Sequence, residues 1–294
     1  MREMVKRTIS EKGRITDMEN KVELHDQTVQ STMLLPVYGR AKASRMFPDI
    51  MRDDEAIRIV DSMDYDFTQI EKSYATEYGS LCCLLRAKRL DERCLAYLRG
   101  HPGGTVVNIG SGLDTTFSRV DNGAVRWYNL DLPDAMAFRR RFIQEPERGA
   151  DIAKSMFDYT WLNEVKTADG TVFILAGGLF YYFEESRLKE LFARVAEYFP
   201  RGELFFDAQS KTAVKISNRM VRKTGNKGSE MHFYVNDAQK LKDWSPKIRT
   251  VESIPFFGDL RKETRFKLSS RINMWGLDKL KMGFLVSVQW DAAG

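Results

Sequence analysis

The chain reads as a doubly wound, Rossmann-like α/β protein, with a mostly parallel sheet and an N-terminal helical cap. Three observations predict this. From residue 101 onward, short continuously apolar runs alternate with amphipathic stretches, the pattern of parallel strands covered by helices on both faces. A glycine turn, Gly110-Ser111-Gly112, follows the first of those runs. Asp131 closes the second run, 19 residues beyond Gly112, the spacing at which an acid reaches a ribose diol.

The elements follow in order. Asp53-Asp54-Glu55 sets acids at the start of a helix expected over 52–62, where they complement the helix dipole. A longer helix is expected over 77–99, with apolar positions at Leu81, Leu84, Leu85, Leu95 and Leu98. It stops at Gly100-His101-Pro102-Gly103-Gly104, a strong helix-breaking cluster. Residues 1–100 are therefore assigned to a helical cap or lid and 101–294 to the α/β core. Within the core, strands are expected over 105–109, 125–130, 152–157, 171–176 and 203–208, and helices over 113–120, 133–144 and 184–198. Pro133 suits a first helical turn, where its missing N–H is not needed. Residues 282–290 alternate like a final antiparallel strand.

Several classes of protein are excluded by what the sequence lacks. Residues 1–24 carry charges throughout and no apolar signal-peptide run. The longest nearly apolar run, 172–183, spans 12 residues, whereas a membrane-spanning helix needs about 20. The cytoplasm is the expected setting, with no membrane partner. Cys82, Cys83 and Cys94 offer neither a disulfide framework nor a CxxC zinc pair, so no metal is expected. The formal net charge of +5 is regional: 28 basic against 31 acidic side chains before residue 201, then 18 against 10. Lys211, Lys215, Arg219, Arg222, Lys223 and Lys227 recur at spacings of three and four, as on one solvated face of a helix, and Lys240 and Lys242 follow. Few aromatics interleave for base stacking, so the surplus reads first as a solvated face and second as a rim for an anionic acceptor, rather than as a nucleic-acid surface.

Open α/β sheets bind ligands beyond the carboxyl ends of their strands. The glycine turn and Asp131 together point to an adenosine-containing ligand. A dinucleotide fingerprint would place a third glycine where this chain has Thr115, and a free helix N-terminus for pyrophosphate where it has Asp114. Two negative charges at one helix end repel. S-adenosylmethionine carries a sulfonium and no phosphate, which suits Asp114.

The ordered combination of Leu35-Pro36-Val37-Tyr38-Gly39-Arg40-Ala41, Arg52-Asp53, Thr105 through Thr115, Val120-Asp121-Asn122-Gly123, Arg126 through Pro133, Ser155-Met156-Phe157-Asp158 with Trp161, and Ala176 through Phe183 resembles the leucine carboxyl methyltransferase family. The similarity is greatest to its bacterial polyketide-type O-methyltransferase branch, within the class I S-adenosylmethionine-dependent methyltransferases. The resemblance implies that Arg86 pairs with the methionine carboxylate of the cofactor and that Gly110, with Ser111 and Gly112, approaches its methionyl amine. It implies that Asp131, followed by Leu132, takes the ribose hydroxyls, and that Asp158 accepts from the adenine amino group with Phe157 or Tyr159 against the ring. Asp158 could equally cap the helix that contains Trp161. Tyr181 and Tyr182 become the acceptor-side candidates, having hydroxyls to place. The sequence departs from the family pattern at two points: Thr116 replaces an arginine, and Gly177 replaces a glutamate beside the cofactor or acceptor.

The reaction implied is in-line methyl transfer to an oxygen, leaving S-adenosylhomocysteine, with alignment supplying much of the catalysis. A carboxylate acceptor, with a pKa of about 4, needs no base at neutral pH, whereas a phenol near about 10 does. None of His25, His101 and His232 belongs to the resembling motifs, which favours a carboxylate or another easily ionised oxygen, and His232 is the one candidate base. The competing readings are a cofactor-binding homologue without catalysis, a nicotinamide-dependent oxidoreductase and a nucleic-acid methyltransferase.

Overall fold

The computed structural model describes residues 22–23, 29–224 and 230–291. The N-terminal stretch without a signal-peptide run lies outside them apart from residues 22–23, as does Lys227. Among the described residues four helices precede the main sheet: α1 (Val29–Met46), α2 (Asp54–Asp61), α3 (Thr68–Ser73) and α4 (Glu77–Gly100). Asp53 stays outside α2 and caps it, its carboxylate accepting from the Ala56 N–H; Thr76 caps α4 through the Gly79 N–H. Val22–Glu23 and Met63–Asp64 form a two-residue parallel pairing.

Seven strands build the sheet: β1 (Thr105–Ile109), β2 (Arg126–Asp131), β3 (Gly149–Ala153), β4 (Thr171–Ala176), β5 (Arg201–Gln209), β6 (Ile248–Pro255) and β7 (Gly283–Asp291). Their order is β3-β2-β1-β4-β5-β7-β6. The first five are mutually parallel, and β7 runs antiparallel to both β5 and β6, as the alternation over 282–290 predicts. The helices between strands are α5 (Thr116–Val120), α6 (Pro133–Arg139), α7 (Glu185–Tyr198), α8 (Lys211–Thr224) and α9 (Leu268–Lys279). Consecutive strand residues bury opposite faces, which is why the strands are continuously apolar. Val107, Ile174 and Phe206 pack beneath Trp161, Leu188 and Phe192, while Val106, Phe173 and Phe205 pack beneath Leu90, Cys94 and Leu98 of α4. Each fully buried side chain of this size contributes about 1.5–3 kcal/mol. A third cluster seats Leu34, Val37 and Ile59 of α1 and α2 on Leu113, Phe138 and Phe142, beside the glycine turn.

Three expected elements shrink or move. The helix expected over 113–120 begins only at Thr116, because the Leu113 carbonyl is held by Arg40 and the Asp114 carboxylate receives the Thr116 N–H. The helix expected over 133–144 ends at Arg139, whose side chain turns inward to the glycine-turn carbonyls, and the residue before Pro146 is disfavoured in a helix. The strand expected over 152–157 lies at 149–153, since Met156 and Phe157 belong to a turn fixed by the Trp161 Nε1 bond to the Met156 carbonyl. The cations Lys211, Lys215 and Arg219 are exposed on α8 opposite buried Ala213 and Val214, the solvated face the spacing predicts. Among the described residues no helix is long and apolar enough to cross a membrane, and no group of His, Cys, Asp and Glu is placed to hold a metal ion.

Candidate active site

The strand order reverses between β1 and β4, the switch point beyond whose carboxyl ends open α/β sheets form their ligand crevice. Three segments meet at that point. The Gly110–Gly112 turn leaves β1, Gly177-Gly178 leaves β4, and Asp207 lies near the end of β5, just past the Ala176–Phe206 pairing. On the other side Asp131 ends β2, paired in register with Ala153 of β3, from which the chain runs on to Phe157 and Asp158.

Local chemistry fixes the turn. Gly110 has φ +66, a conformation that favours glycine, and a Cβ there would lie 2.7 Å from the Leu179 methyls and displace that side chain. Arg139 donates to the carbonyls of Gly112 and Asp114 at 2.9 and 2.7 Å, and Arg40 donates to that of Leu113 at 2.7 Å. Three successive carbonyls are thereby drawn to guanidinium groups. The Gly112 N–H in turn donates to Asp131 Oδ2 at 2.7 Å, while Asp131 Oδ1 accepts from the Leu132 N–H at 2.8 Å. Burial pushes the Asp131 carboxyl up, and these two backbone donors and Arg139 hold it down only in part. Leu132 itself is exposed on the rim.

Arg40 is part of a buried ion cluster under the turn. Asp53, 0% exposed, accepts from Arg40 Nε at 3.1 Å and from the Thr115 hydroxyl at 2.7 Å, and its Oδ2 lies 2.8 Å from Arg119 Nη1. Arg119 continues to Asp91 of α4 through two bonds of 2.6 and 2.9 Å. Burial would raise the Asp53 carboxyl, but Arg40, Arg119 and the Thr115 and Ala56 donors carry it below the usual carboxylate range.

At the other end of the crevice, Arg86 reaches from α4. Its Nη1 donates to the Tyr181 hydroxyl at 3.2 Å and to Asp207 Oδ2 at 3.3 Å. Tyr181 also donates to Asp207 Oδ2 at 3.1 Å, and the Gly178 N–H donates to Oδ1 at 2.5 Å. Gly178 has φ +75, and a Cβ there would meet the guanidinium at 2.8 Å. Burial opposes the charge on Arg86, yet Asp207 and Tyr181 hold its pKa above the ordinary value. Burial first, and then Asp207, pushes the Tyr181 phenol far up, so it stays a donor. Asp207 is a residue the sequence reading missed, although its signal matched that of Asp131: an acid closing an apolar strand.

The structure thus places Arg86, Gly110, Ser111, Gly112, Asp131, Gly177 and Tyr181 along the carboxyl-end edge of the sheet, and modifies other expectations. Asp114 faces Asn108 Nδ2 at 2.8 Å and caps α5 at Thr116, occupying donors that a pyrophosphate would need. Asp158 is exposed and accepts from the Thr160 N–H and hydroxyl, capping the short 3₁₀ turn that contains Trp161. Phe157 has the Arg187 guanidinium over its ring at 3.8 Å and Phe183 against its edge. Tyr181 is 5% exposed and committed to Asp207, whereas Tyr182 is 39% exposed and open to a ligand. His232 donates its backbone N–H to the Tyr181 carbonyl, and its half-exposed ring places Nδ1 3.4 Å from Glu184. At Gly177 a Cβ would meet only Leu90 of α4, at 2.8 Å, so the position where the family carries a glutamate holds no charge.

These features fit a nucleoside with an amino-acid tail. Each Asp131 oxygen accepts one N–H and keeps capacity for a hydroxyl, the described bonds of Arg86 all leave from Nη1, and the buried Ser111 Oγ has no partner among the described residues.

Comparisons with known proteins agree. The tetracenomycin polyketide synthesis O-methyltransferase TcmP of Streptomyces glaucescens is 27% identical over 241 residues, covering 79% of this chain and 87% of the relative. A Thermobifida fusca protein assigned as a methyltransferase shares the fold with a TM-score of 0.54 at 12% identity, over 86% of this chain and 94% of its own. A DUF574 family protein of Streptomyces avermitilis does so with a TM-score of 0.52 at 11% identity, over 86% and 97%. The family model described as leucine carboxyl methyltransferase matches residues 34–196, from the cap helix that carries Arg40, through the glycine turn and Asp131, to α7. The chain therefore belongs to the leucine carboxyl methyltransferase family of S-adenosylmethionine-dependent methyltransferases.

Proposed function

We propose that the protein methylates an oxygen of a small molecule, with a carboxylate as the foremost acceptor. The observation that carries the cofactor side is the placement of Arg86 and Asp131 on opposite sides of the Gly110–Gly112 turn, one suited to a carboxylate and the other to a diol. When bound, S-adenosylmethionine supplies an electrophilic methyl on a sulfonium. In this reading Arg86 uses its remaining donors to hold the amino-acid carboxylate, kept in place by Asp207 and Tyr181. Ser111 and the glycine backbone line the turn, and Asp131 holds the ribose. Asp158 and Phe157, leaving the chain beside Asp131, border the base. The helices before β1 act as a cap that excludes water from the crevice.

Several features support an O-methyl acceptor that is already ionised. The relative from Streptomyces glaucescens is an O-methyltransferase. Tyr181 and Tyr182 both have phenols raised by burial above the ordinary range, so neither supplies a base near neutral pH. Gly177 removes a negative charge that would repel an anion. Calorimetry with S-adenosylhomocysteine tests the cofactor site: binding without turnover on any acceptor would leave a non-catalytic homologue, and no binding would end the proposal. Arg86→Met should lower that affinity about tenfold to a hundredfold, the range for a charge-assisted hydrogen bond, with Arg86→Lys intermediate.

A phenolic acceptor is the second reading, favoured by the His232–Glu184 pair next to Tyr181 and Tyr182. His232→Gln separates the two. With a carboxylate acceptor kcat should hold and its pH profile stay flat above the carboxylate range. With a phenol kcat should fall about a hundredfold or more, and its dependence on the imidazole should disappear.

A further inference from the structure

The four most exposed large apolar side chains among the described residues all belong to one segment. Leu268, Ile272 and Trp275 are 68%, 58% and 54% exposed and stand on one face of α9 at intervals of four and three; Leu280, at 67%, follows the helix. The opposite face is seated in the protein through Ser270 and Met274, and the Ser270 hydroxyl and the Lys267 N–H both bond Glu77 at the start of α4. The stripe is therefore held outward by a fixed helix, and burial within this chain does not cover it.

Its surroundings are strongly basic. Residues 258–281 hold seven Lys and Arg against three Asp and Glu. Two of the acids are engaged within the segment, Asp278 by Arg261 and Asp259 by Lys262, while Lys267, Arg271, Lys279 and Lys281 have no ion pair among the described residues. This is a second concentration of the basic surplus, separate from that on α8. The segment also has a defined place. Pro255 at the end of β6 pairs with Phe284, which pairs with Ala208 at the end of β5, so the segment that carries α9 leaves and re-enters the sheet at the same edge as the carboxyl ends of the parallel strands.

We propose that this face docks on an anionic phospholipid surface, with Leu268, Ile272 and Trp275 in the headgroup–acyl boundary and the lysines and arginines among the headgroups. The absence of a spanning segment does not bear on this, since an interfacial helix needs an apolar stripe and a cationic flank rather than length. A second copy of the chain is disfavoured, because a two-fold contact would press like charges together. A globular partner typically covers about 800 Å² per side with a shaped core. Leu268, Ile272 and Trp275 line one open concavity together with Arg261, Lys262 and Arg271, an apolar stripe and cationic flank that suit a fluid layer of anionic headgroups and acyl chains. The consequence for function is that the crevice would open near a membrane, where apolar acceptors concentrate.

The test uses the full chain and vesicles of phosphatidylglycerol and phosphatidylcholine in equal parts, with phosphatidylcholine alone as control. Trp127, Trp161, Trp244 and Trp290 are buried, so Trp275 is the tryptophan whose emission should respond to lipid. The expected result is co-sedimentation with the anionic vesicles only, weakened by salt, with a blue shift of emission. Ile272→Ser and Trp275→Ala should each reduce partitioning by about tenfold, and Lys279→Gln should reduce it for anionic vesicles, all with unchanged circular dichroism. Four outcomes would overturn the proposal: no anionic-vesicle binding, equal binding by the variants, equal binding to neutral vesicles, or a lipid-free dimer that Ile272→Ser dissociates. Loss of vesicle binding alongside capture of an acidic protein through the same stripe would likewise replace the lipid surface by that protein.

Discussion

Replacing Asp131 by alanine should weaken S-adenosylhomocysteine binding by about a hundredfold to ten-thousandfold, measured by calorimetry. A hydrogen bond to a charged group contributes about 1.5–3 kcal/mol, and the carboxylate in the proposed role receives two hydroxyls. Its orientation is set in advance, because the Gly112 and Leu132 N–H groups each hold one oxygen. Asp131→Asn should fall between wild type and alanine, since one oxygen remains to accept while the amide faces an N–H it cannot satisfy. Unchanged affinity in the alanine variant would remove the ribose assignment. The pH dependence follows from the direction of the shift. The carboxyl of the free protein is raised, so affinity should begin to fall on acidification while the pH is still above the ordinary carboxylate range. Binding should be complete above that point and lost as the group protonates.

Asp53→Ala should destabilise the fold by roughly 3–5 kcal/mol, the cost of leaving a buried charge without its partner. Here two guanidinium groups would be left facing each other: Arg40 and Arg119 have side chains only 6% and 13% exposed, and both converge on Asp53. Arg119 keeps Asp91, so the greater loss falls on Arg40 and, through its bond to the Leu113 carbonyl, on the glycine turn. Denaturant unfolding should show the lower midpoint, and calorimetry should show weaker cofactor binding in the protein that remains folded. The lowered carboxyl also fixes the acid behaviour. The folded value lies below the unfolded one, near about 4, so the contribution is fully present above the unfolded value and is lost as pH falls through the folded value. The acid-induced loss of stability expected of the wild type should therefore be smaller in the alanine variant.

Much of the architecture was legible in the sequence, for a physical reason. Strands β1, β2, β4 and β5 are largely buried on both faces and so read as short apolar runs, nearly unbroken in β4 and interrupted by Asn108, Asn129 and Glu203 in the others. Strand β6, at the sheet edge, was not recognised, because exposed Arg249 and Glu252 interrupt it. Helix α9 escaped for the opposite reason, since its most visible apolar residues face solvent and do not follow the core periodicity. Spacing and resemblance single out Arg86, the glycine turn and Asp131, which all lie at the carboxyl-end edge of the sheet. They do not single out the partners of Arg86, because Asp207 lies 121 positions away and only the sheet brings it there. Tyr181 was read as an acceptor contact, yet its hydroxyl is spent on that same carboxylate. Asp158 shows the limit of local reading: one carboxylate could serve a ligand or cap a turn, and in this structure it caps the turn.

The guanidinium grip on the carbonyls of Gly112, Leu113 and Asp114 has a consequence for how the molecule opens. Arg40 lies 73 positions before its carbonyl, and Arg139 lies 27 and 25 positions after its own. The loop cannot loosen without releasing both helices that hold it. Native-state hydrogen exchange should therefore find α1, the segment after β1 and α6 sharing one opening free energy, as a single cooperative unit drawn from distant parts of the chain. A fragment starting at residue 101 would keep every strand of the main sheet and still lack Arg40. It should fold, if at all, with these amides unprotected, as expected if the segment before residue 101 fastens the glycine turn to the sheet.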